Sequence, residues 1–286
     1  MRVAAVQTTA TDDREENLAD AGRLVVQAAD AGAELVVLPE YFSVAGPPEF
    51  FRSHAEHLDG PTLTWAREIA RSRGVFLLAG SFPEQTGPDH ELPDARLANL
   101  SVLVGPDGGL LATYRKIHLF DVVLDGRAHR ESDTFAPGTH AVAAALPGTD
   151  DGEGSPLIVG LTVCYDLRFP ELYRTLALAG ARVFTVPAAF TAITGPAHWE
   201  TLLRARAIEN EVFVVAAAQV GTLPRGMPAC HGHSMIIDPW GHVLAAETGG
   251  SPGVIWADLD LPGQSKIRRD LPVLENRRPS AYRLES

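Results

Sequence analysis

Lysine is almost absent from this chain of 286 residues. Of its 24 basic residues only Lys116 and Lys266 are lysines; the others are arginines. A surface that needs only positive charge is served here by arginine. A retained lysine is therefore a candidate for chemistry that requires a compact ammonium. Cysteine is just as scarce, with two. Two cysteines exclude a disulfide framework and make a reducing cytoplasm the expected compartment. No apolar run approaches the length of a membrane span, and the opening MRVAAVQTTA, too short for a secretory leader, reads as a first strand. The Gly-x-Ser-x-Gly spacing falls only at Gly249–Gly253, ahead of the strand-like GVIWADLD and not between a strand and a helix, which argues against a serine hydrolase. Basic charge is also short: 36 acidic residues leave a net charge of -12. Such a surface repels nucleic acid and anionic membrane, so neither is an expected partner. An anionic substrate would need a local cationic pocket.

What is present is apolar material, 45% of the chain, patterned in alternating strand-like and helix-like segments. RVAAVQT and ELVVLPE read as strands around a helix that opens at the capping-box-like Asp13-Arg-Glu-Glu16 and stops near Gly32. PTLTWAREIARSRG reads as a helix with proline at its start and glycine at its end. Further strands are expected at VFLLAGS, on both sides of the Pro-Asp-Gly turn at 106–108, and at AVAAAL, PLIVGLTV, VFTVPAAF, FVVAAAQV, HSMIID, HVLAA and GVIWADLD. Helices are expected from Pro170 and from Pro196. Residues 83–95 read as a loop, 117–140 as irregular, and the tail from about residue 264 as weakly periodic, packing on the domain or on a second copy. Continuous apolar strands such as LVVL imply sheets covered on both faces. The expectation is a single α/β domain over residues 1–286, with a mixed sheet or two sheets between helical layers.

Three residues share a position. Glu40 follows ELVVLP, Lys116 ends LLATYR, and Cys164 ends LIVGLTV. In layered α/β proteins, ligands gather beyond the carboxyl ends of strands. Neighbouring strands would bring base, cation and thiol together there. A glutamate can take a thiol proton and later pass it to a leaving amine. A lysine ammonium can favour the thiolate and balance an oxyanion, with the backbone N–H of Tyr165 as a second donor. Together these types outline acyl transfer through a thioester, then hydrolysis. Two other classes stay open on residues alone. A metal enzyme would rest on Cys230-His231-Gly232-His233, which lacks a second spaced pair. A non-catalytic scaffold would leave Cys164 an inert core residue.

The segments VVLPEY, YRKIHL and GLTVCYDLRFPEL resemble, in order, the three signature segments of the nitrilase superfamily of carbon–nitrogen hydrolases. The resemblance implies a four-layer α-β-β-α sandwich, a homodimer or higher homo-oligomer, and hydrolysis of a small linear amide without metal or organic cofactor. It implies Glu40 as general base, Lys116 as stabiliser of the tetrahedral intermediate, Cys164 as nucleophile, and Glu131 in HRESDTFAPG as a supporting carboxylate. TAITGPAHWETLLRARAIENEVFVVAAAQVG, with GHSMIIDPWG and RRDLPVLENRRP, resembles the deaminated glutathione amidase branch. Omega-amidase, which shares the TGPAHW and YRKIHLFD patterns, is the neighbouring alternative; carbamoyl-amine hydrolases and nitrilases are more distant ones. Substrates of both branches carry a 2-oxo acid. Arg168 could grip its carboxylate with a bidentate fork, and Phe190 and Thr194 would lie beside it. DGRAHRES, residues 125–132, is more basic than the loop usual in the family. If it borders the pocket, it alters leaving-group preference.

Overall fold

Side chains of the first strand, Arg2–Gln7, alternate between two faces, both of them buried, and this sets the layers. In this computed structural model, which describes residues 1–86 and 96–281, Ala4 and Val6 turn to one side. They pack with Val36, Leu38 and Leu77 against Leu24 and Val25 of helix Arg14–Asp30 and Leu63 and Ala66 of helix Pro61–Arg73. Val3 and Ala5 turn to the other side, into a second core that runs through a second sheet. That core reaches Tyr173 and Leu176 of helix Pro170–Leu178 and Trp199 and Leu203 of helix Gly195–Asn210. Each fully buried Leu or Val contributes roughly 1.5–3 kcal/mol to holding these layers. The order is helix, sheet, sheet, helix: the expected four-layer α/β sandwich.

The first sheet runs Gly253–Asp258, Arg2–Gln7, Leu35–Val37, Phe76–Leu78, Ala98–Val104, Phe82–Glu84, and Leu110–Arg115 pairs with Ala98–Val104 as a branch. The second runs Val243–Ala246, Met235–Ile237, Phe213–Ala218, Val183–Ala188, Leu157–Leu161, Val142–Leu146. Central pairs in both are parallel. Their strands are covered on both faces, which is why they read as unbroken apolar runs. The sheets meet at their carboxyl ends, where Thr8 N donates to Ala218 O (3.3 Å) and Val220 N to Thr8 O (2.8 Å).

Four expectations about elements change. Residues 117–140 are not irregular throughout, since Asp121–Leu124 and Arg127–Arg130 form a hairpin. Its turn residues Asp125 and Gly126 have φ of 47° and 75°, the left-handed pair that a two-residue hairpin turn demands. Within the expected 83–95 loop, Phe82–Glu84 is a short strand, and residues 87–95 lie outside the described residues. Pro48–His54 is a short helix. The tail contains a helix, Leu261–Asp270, capped by Asp260. Its periodicity is weak because part of its buried face is polar: Gln264 Nε2 donates to the carbonyls of Arg182 and Glu211, each at 2.9 Å. At the first helix only half a capping box forms. Asp13 Oδ1 accepts from the backbone of Glu15 and Glu16, while the Glu16 carboxylate accepts from Thr11 Oγ1 instead of reaching back. Among the described residues, no helix is long and apolar enough to cross a membrane.

Candidate active site

Glu40, Lys116, Glu131 and Cys164 line one cavity of about 320 Å³. Glu40 stands just past Leu35–Val37, Lys116 directly after Leu110–Arg115, and Cys164 just past Leu157–Leu161. The first two come from one sheet and the third from the other, so the site closes only when the sheets pack. Tight backbone crossings fix these ends. A Cβ on Gly80 would stand 1.8 Å from Pro39 O, and one on Gly138 2.1 Å from Arg115 O. The segments carrying Glu40 and Lys116 can be approached this closely only by glycine.

Lys116 Nζ donates to Glu40 Oε1 (2.9 Å) and to both Glu131 oxygens (3.1 and 2.8 Å). Burial alone would lower its pKa; Glu131 and then Glu40 outweigh that and hold the ammonium well above the ordinary lysine range. Glu40 Oε2 accepts from Ala189 N (2.9 Å), at the end of Val183–Ala188. Glu131 begins a short 3-10 turn, and its Oε2 accepts from Phe120 N (2.6 Å). One amide joins the two carboxylates. Asn99 Nδ2 lies 3.0 Å from Glu40 Oε1, 3.1 Å from Glu131 Oε1 and 2.9 Å from Tyr41 Oη. Tyr41 in turn donates to Glu131 (2.9 Å), and burial, then Glu131 and Glu40, keeps its phenol protonated far above its usual range. Asn99 and Tyr41 were not singled out from the sequence. The one signal for Asn99 was an amide in the largely apolar strand ANLSVLV, which the structure buries along its whole length.

Cys164 has φ +49°, a left-handed conformation uncommon for a residue with a side chain. It opens the 3-10 turn Cys164–Arg168, which turns the chain into helix Pro170–Leu178. The buried Asp166 holds that turn: its Oδ2 accepts from Val163 N (2.8 Å) and Tyr114 Oη (2.6 Å), and its Oδ1 accepts from His118 N (3.1 Å). His118 Nδ1 lies 2.7 Å from the same Oδ1, and its ring stacks on Phe169 at 3.6 Å. Arg206 Nε and Nη2 both donate to Leu167 O, at 3.0 and 2.8 Å. Arg206 also pairs with Glu209, so it joins helix Gly195–Asn210 to the turn. The network therefore ties Cys164 to the residues on both sides of Lys116.

Burial first and the Glu40 carboxylate second push the Cys164 thiol well above its ordinary value; Lys116 pulls the other way without reversing it. The lysine does favour the thiolate, though burial and Glu40 outweigh it. The thiol is buried beside the Glu40 carboxylate. The arrangement suits proton removal as the sulfur attacks.

Tyr165, Phe190 and Thr194 also line the cavity, as does Arg168. Tyr165 follows Cys164 directly, at the amino end of the turn. Arg168 forms no ion pair with Asp166 or Glu171. Its guanidinium lies over the rings of Phe190 (5.1 Å) and Tyr165 (5.7 Å), and its Nη1 lies 3.2 Å from His198 Nδ1. Thr194 Oγ1 is 2.9 Å from Thr191 Oγ1. Ala128, His129 and Arg130, from the basic 125–132 stretch, border the same cavity. His231 and His233 stack on each other at 4.2 Å. Among the described residues, no group of three or more His, Cys, Asp or Glu side chains is placed to hold a metal ion. Cys164 and Cys230 are both free.

A fold of this kind with a buried Glu–Lys–Glu–Cys cluster defines a class, and comparison agrees. Residues 2–269 match the family model described as carbon–nitrogen hydrolase. The chain is similar to deaminated glutathione amidase of Homo sapiens, 44% identical over 283 residues, covering 98% of this chain and 83% of that one. It is also similar to omega-amidase NIT2 of Danio rerio, 37% identical over 286 residues, covering 100% of this chain and 97% of that one. Among solved structures, a mutant of the amidase from Nesterenkonia sp. AN1 superposes with a TM-score of 0.77 at 27% identity, covering 98% of this chain and 95% of that one. It carries the acetamide moiety of fluoroacetamide covalently at its active-site cysteine. The chain belongs to the carbon–nitrogen hydrolase family. It is a hydrolase of carbon–nitrogen bonds other than peptide bonds.

Proposed function

We propose that this hydrolase cleaves deaminated glutathione to 2-oxoglutarate and cysteinylglycine through a thioester on Cys164. The observation that carries the mechanism is the convergence of Glu40, Lys116, Glu131 and Cys164 on one cavity. Glu40 takes the thiol proton as Sγ attacks the amide carbonyl. The resulting oxyanion is met by the Lys116 ammonium and the Tyr165 N–H. Glu40 then returns its proton to the departing nitrogen, the C–N bond breaks, and an acyl thioester remains. Water enters, Glu40 takes its proton, and collapse of the second tetrahedral intermediate returns the thiol and frees the acid. Glu131, with Asn99 and Tyr41, keeps Lys116 charged and aimed. No cofactor enters any of these steps.

The acyl side is assigned from Arg168. This cationic group has no carboxylate partner among the described residues and lies over Phe190, so it suits the carboxylate of a 2-oxo acid. Phe190 and Thr194 shape the same end. The greater similarity to deaminated glutathione amidase than to omega-amidase supports the larger amide over 2-oxoglutaramate. A second copy of the chain is the proposed macromolecular partner. Leu178 and Ile208, about half exposed on the two outer helices behind the second sheet, support it. The proposed compartment is the cytoplasm, consistent with two unpaired cysteines. The test is release of 2-oxoglutarate from deaminated glutathione and from 2-oxoglutaramate in parallel, with Cys164→Ala as control. Higher kcat/KM on the first supports the proposal. Higher kcat/KM on the second makes the chain an omega-amidase.

A further inference from the structure

The cavity is cationic at two places apart from Lys116, and only one of them has been assigned. Its lining holds two carboxylates, Glu40 and Glu131, and four strong bases, Lys116, Arg130, Arg168 and Arg225. Both carboxylates are committed to Lys116. Arg225 is committed to Asp12. Arg168 and Arg130 remain, on a chain whose net charge of -12 opposes any anion that approaches.

The Arg130 side chain is exposed, but the backbone beside it is fixed. It ends the second strand of the 121–130 hairpin and immediately precedes Glu131. Glu131 N donates to Phe120 O (3.4 Å), Phe120 N donates to the Glu131 carboxylate, and Ser132 N donates to Asp121 Oδ1 (3.0 Å). The backbone beside Arg130 is thereby tied to the group that holds Lys116. His129, beside it, lies 6.0 Å from the Phe120 ring, which meets the Tyr165 ring edge-on at 5.2 Å. Asp121 faces Arg130 across the hairpin and feels its charge, but its carboxylate accepts from Ser132 N and does not line the cavity. The hairpin therefore presents Arg130 and His129, and no carboxylate, to the space in front of Cys164.

We propose that Arg130, assisted by His129, binds a carboxylate carried by the leaving amine, so that the enzyme prefers amides whose leaving group is an amino acid or short peptide with a free carboxyl end. This rests on the 2-oxo acid amide reading above and deepens it. Arg168 takes the carboxylate of the acyl half, the hairpin takes that of the amine half, and the scissile bond lies between them at Cys164. An amide of ammonia offers the hairpin nothing.

The experiment compares kcat/KM for deaminated glutathione and for the same compound with its terminal carboxyl converted to a carboxamide, with 2-oxoglutaramate as a third substrate. It uses the full chain and Arg130→Gln, Arg130→Glu and Arg130→Lys variants. In the wild type the free acid is preferred over its carboxamide by about fivefold, as one solvent-accessible ion pair supplies. That ratio falls toward one in Arg130→Gln, inverts in Arg130→Glu and is largely retained in Arg130→Lys. Raising the salt concentration raises KM for the acid more than for the carboxamide. A wild-type ratio near one, or a ratio unmoved in Arg130→Gln and Arg130→Glu, overturns the assignment while leaving the amidase reading intact. Failure of the wild type on all three substrates overturns the reading on which it rests.

Discussion

Replacing Lys116 with methionine keeps the length of the side chain and removes its charge. The ammonium makes contacts of 2.8, 2.9 and 3.1 Å to two carboxylates and is 2% exposed. Glu40 is buried equally deeply, and Glu131 is largely covered. The substitution leaves two enclosed carboxylates facing an apolar tip, and breaking a buried pair in this way costs about 3–5 kcal/mol. Its pH dependence follows from Lys116. Its pKa in the folded chain is raised, because Glu131 and Glu40 together outweigh burial. A group raised on folding contributes its full stability below its unfolded value and loses it only as pH climbs through the folded one. The share of the wild-type to Lys116→Met stability gap that comes from the ammonium is therefore undiminished up to about pH 10. Urea denaturation at several pH values, followed by intrinsic fluorescence, measures it. A gap under about 1 kcal/mol, the size expected of an exposed pair, would refute the reasoning. So would a gap that closes between pH 7 and 9, since it would mean that the ammonium titrates in that range.

Glu40→Gln should lower amide turnover by about 10²–10⁴-fold, the usual worth of a general base, and should move the Cys164 thiol pKa down, since a neighbouring negative charge is removed. Thiolate absorbance near 240 nm against pH reads the second effect; burial holds the Cys230 thiol far above its ordinary value and silent in that titration. Asn99→Leu should lower kcat about tenfold with a small change in KM, because it removes a donor shared by Glu40, Glu131 and Tyr41 without touching substrate. A change confined to KM would place Asn99 in substrate binding instead.

The parts of the site legible in the sequence were those at the ends of apolar runs. ELVVLP, LLATYR and LIVGLTV each declared a strand, and the residue after each declared a position. A scarce lysine and a scarce cysteine narrowed the choice further. The partners of those residues were not legible, because hydrogen bonds across the sheets leave no local spacing. Asn99 to Glu40 spans 59 positions, Ala189 to Glu40 149, and Tyr114 to Asp166 52. The tail helix was hidden for a different reason: Gln264 and Ser265 supply part of its buried face, so no apolar stripe marks it. The 121–130 hairpin did carry a signal, Asp125-Gly126 between DVVL and RAHR, but its exposed, charged strands lack the apolar alternation that would have drawn attention to it.

The central claim is that Cys164 forms a thioester with the acyl half of a 2-oxo acid amide. The most direct measurement is an acid quench of the enzyme during turnover of deaminated glutathione, followed by mass spectrometry of the peptide containing Cys164. The account predicts a 4-carboxy-4-oxobutanoyl group on Cys164, none on Cys230, and neither adduct nor turnover in Cys164→Ala. Continued turnover by Cys164→Ala, with no adduct on the wild-type cysteine, would contradict it.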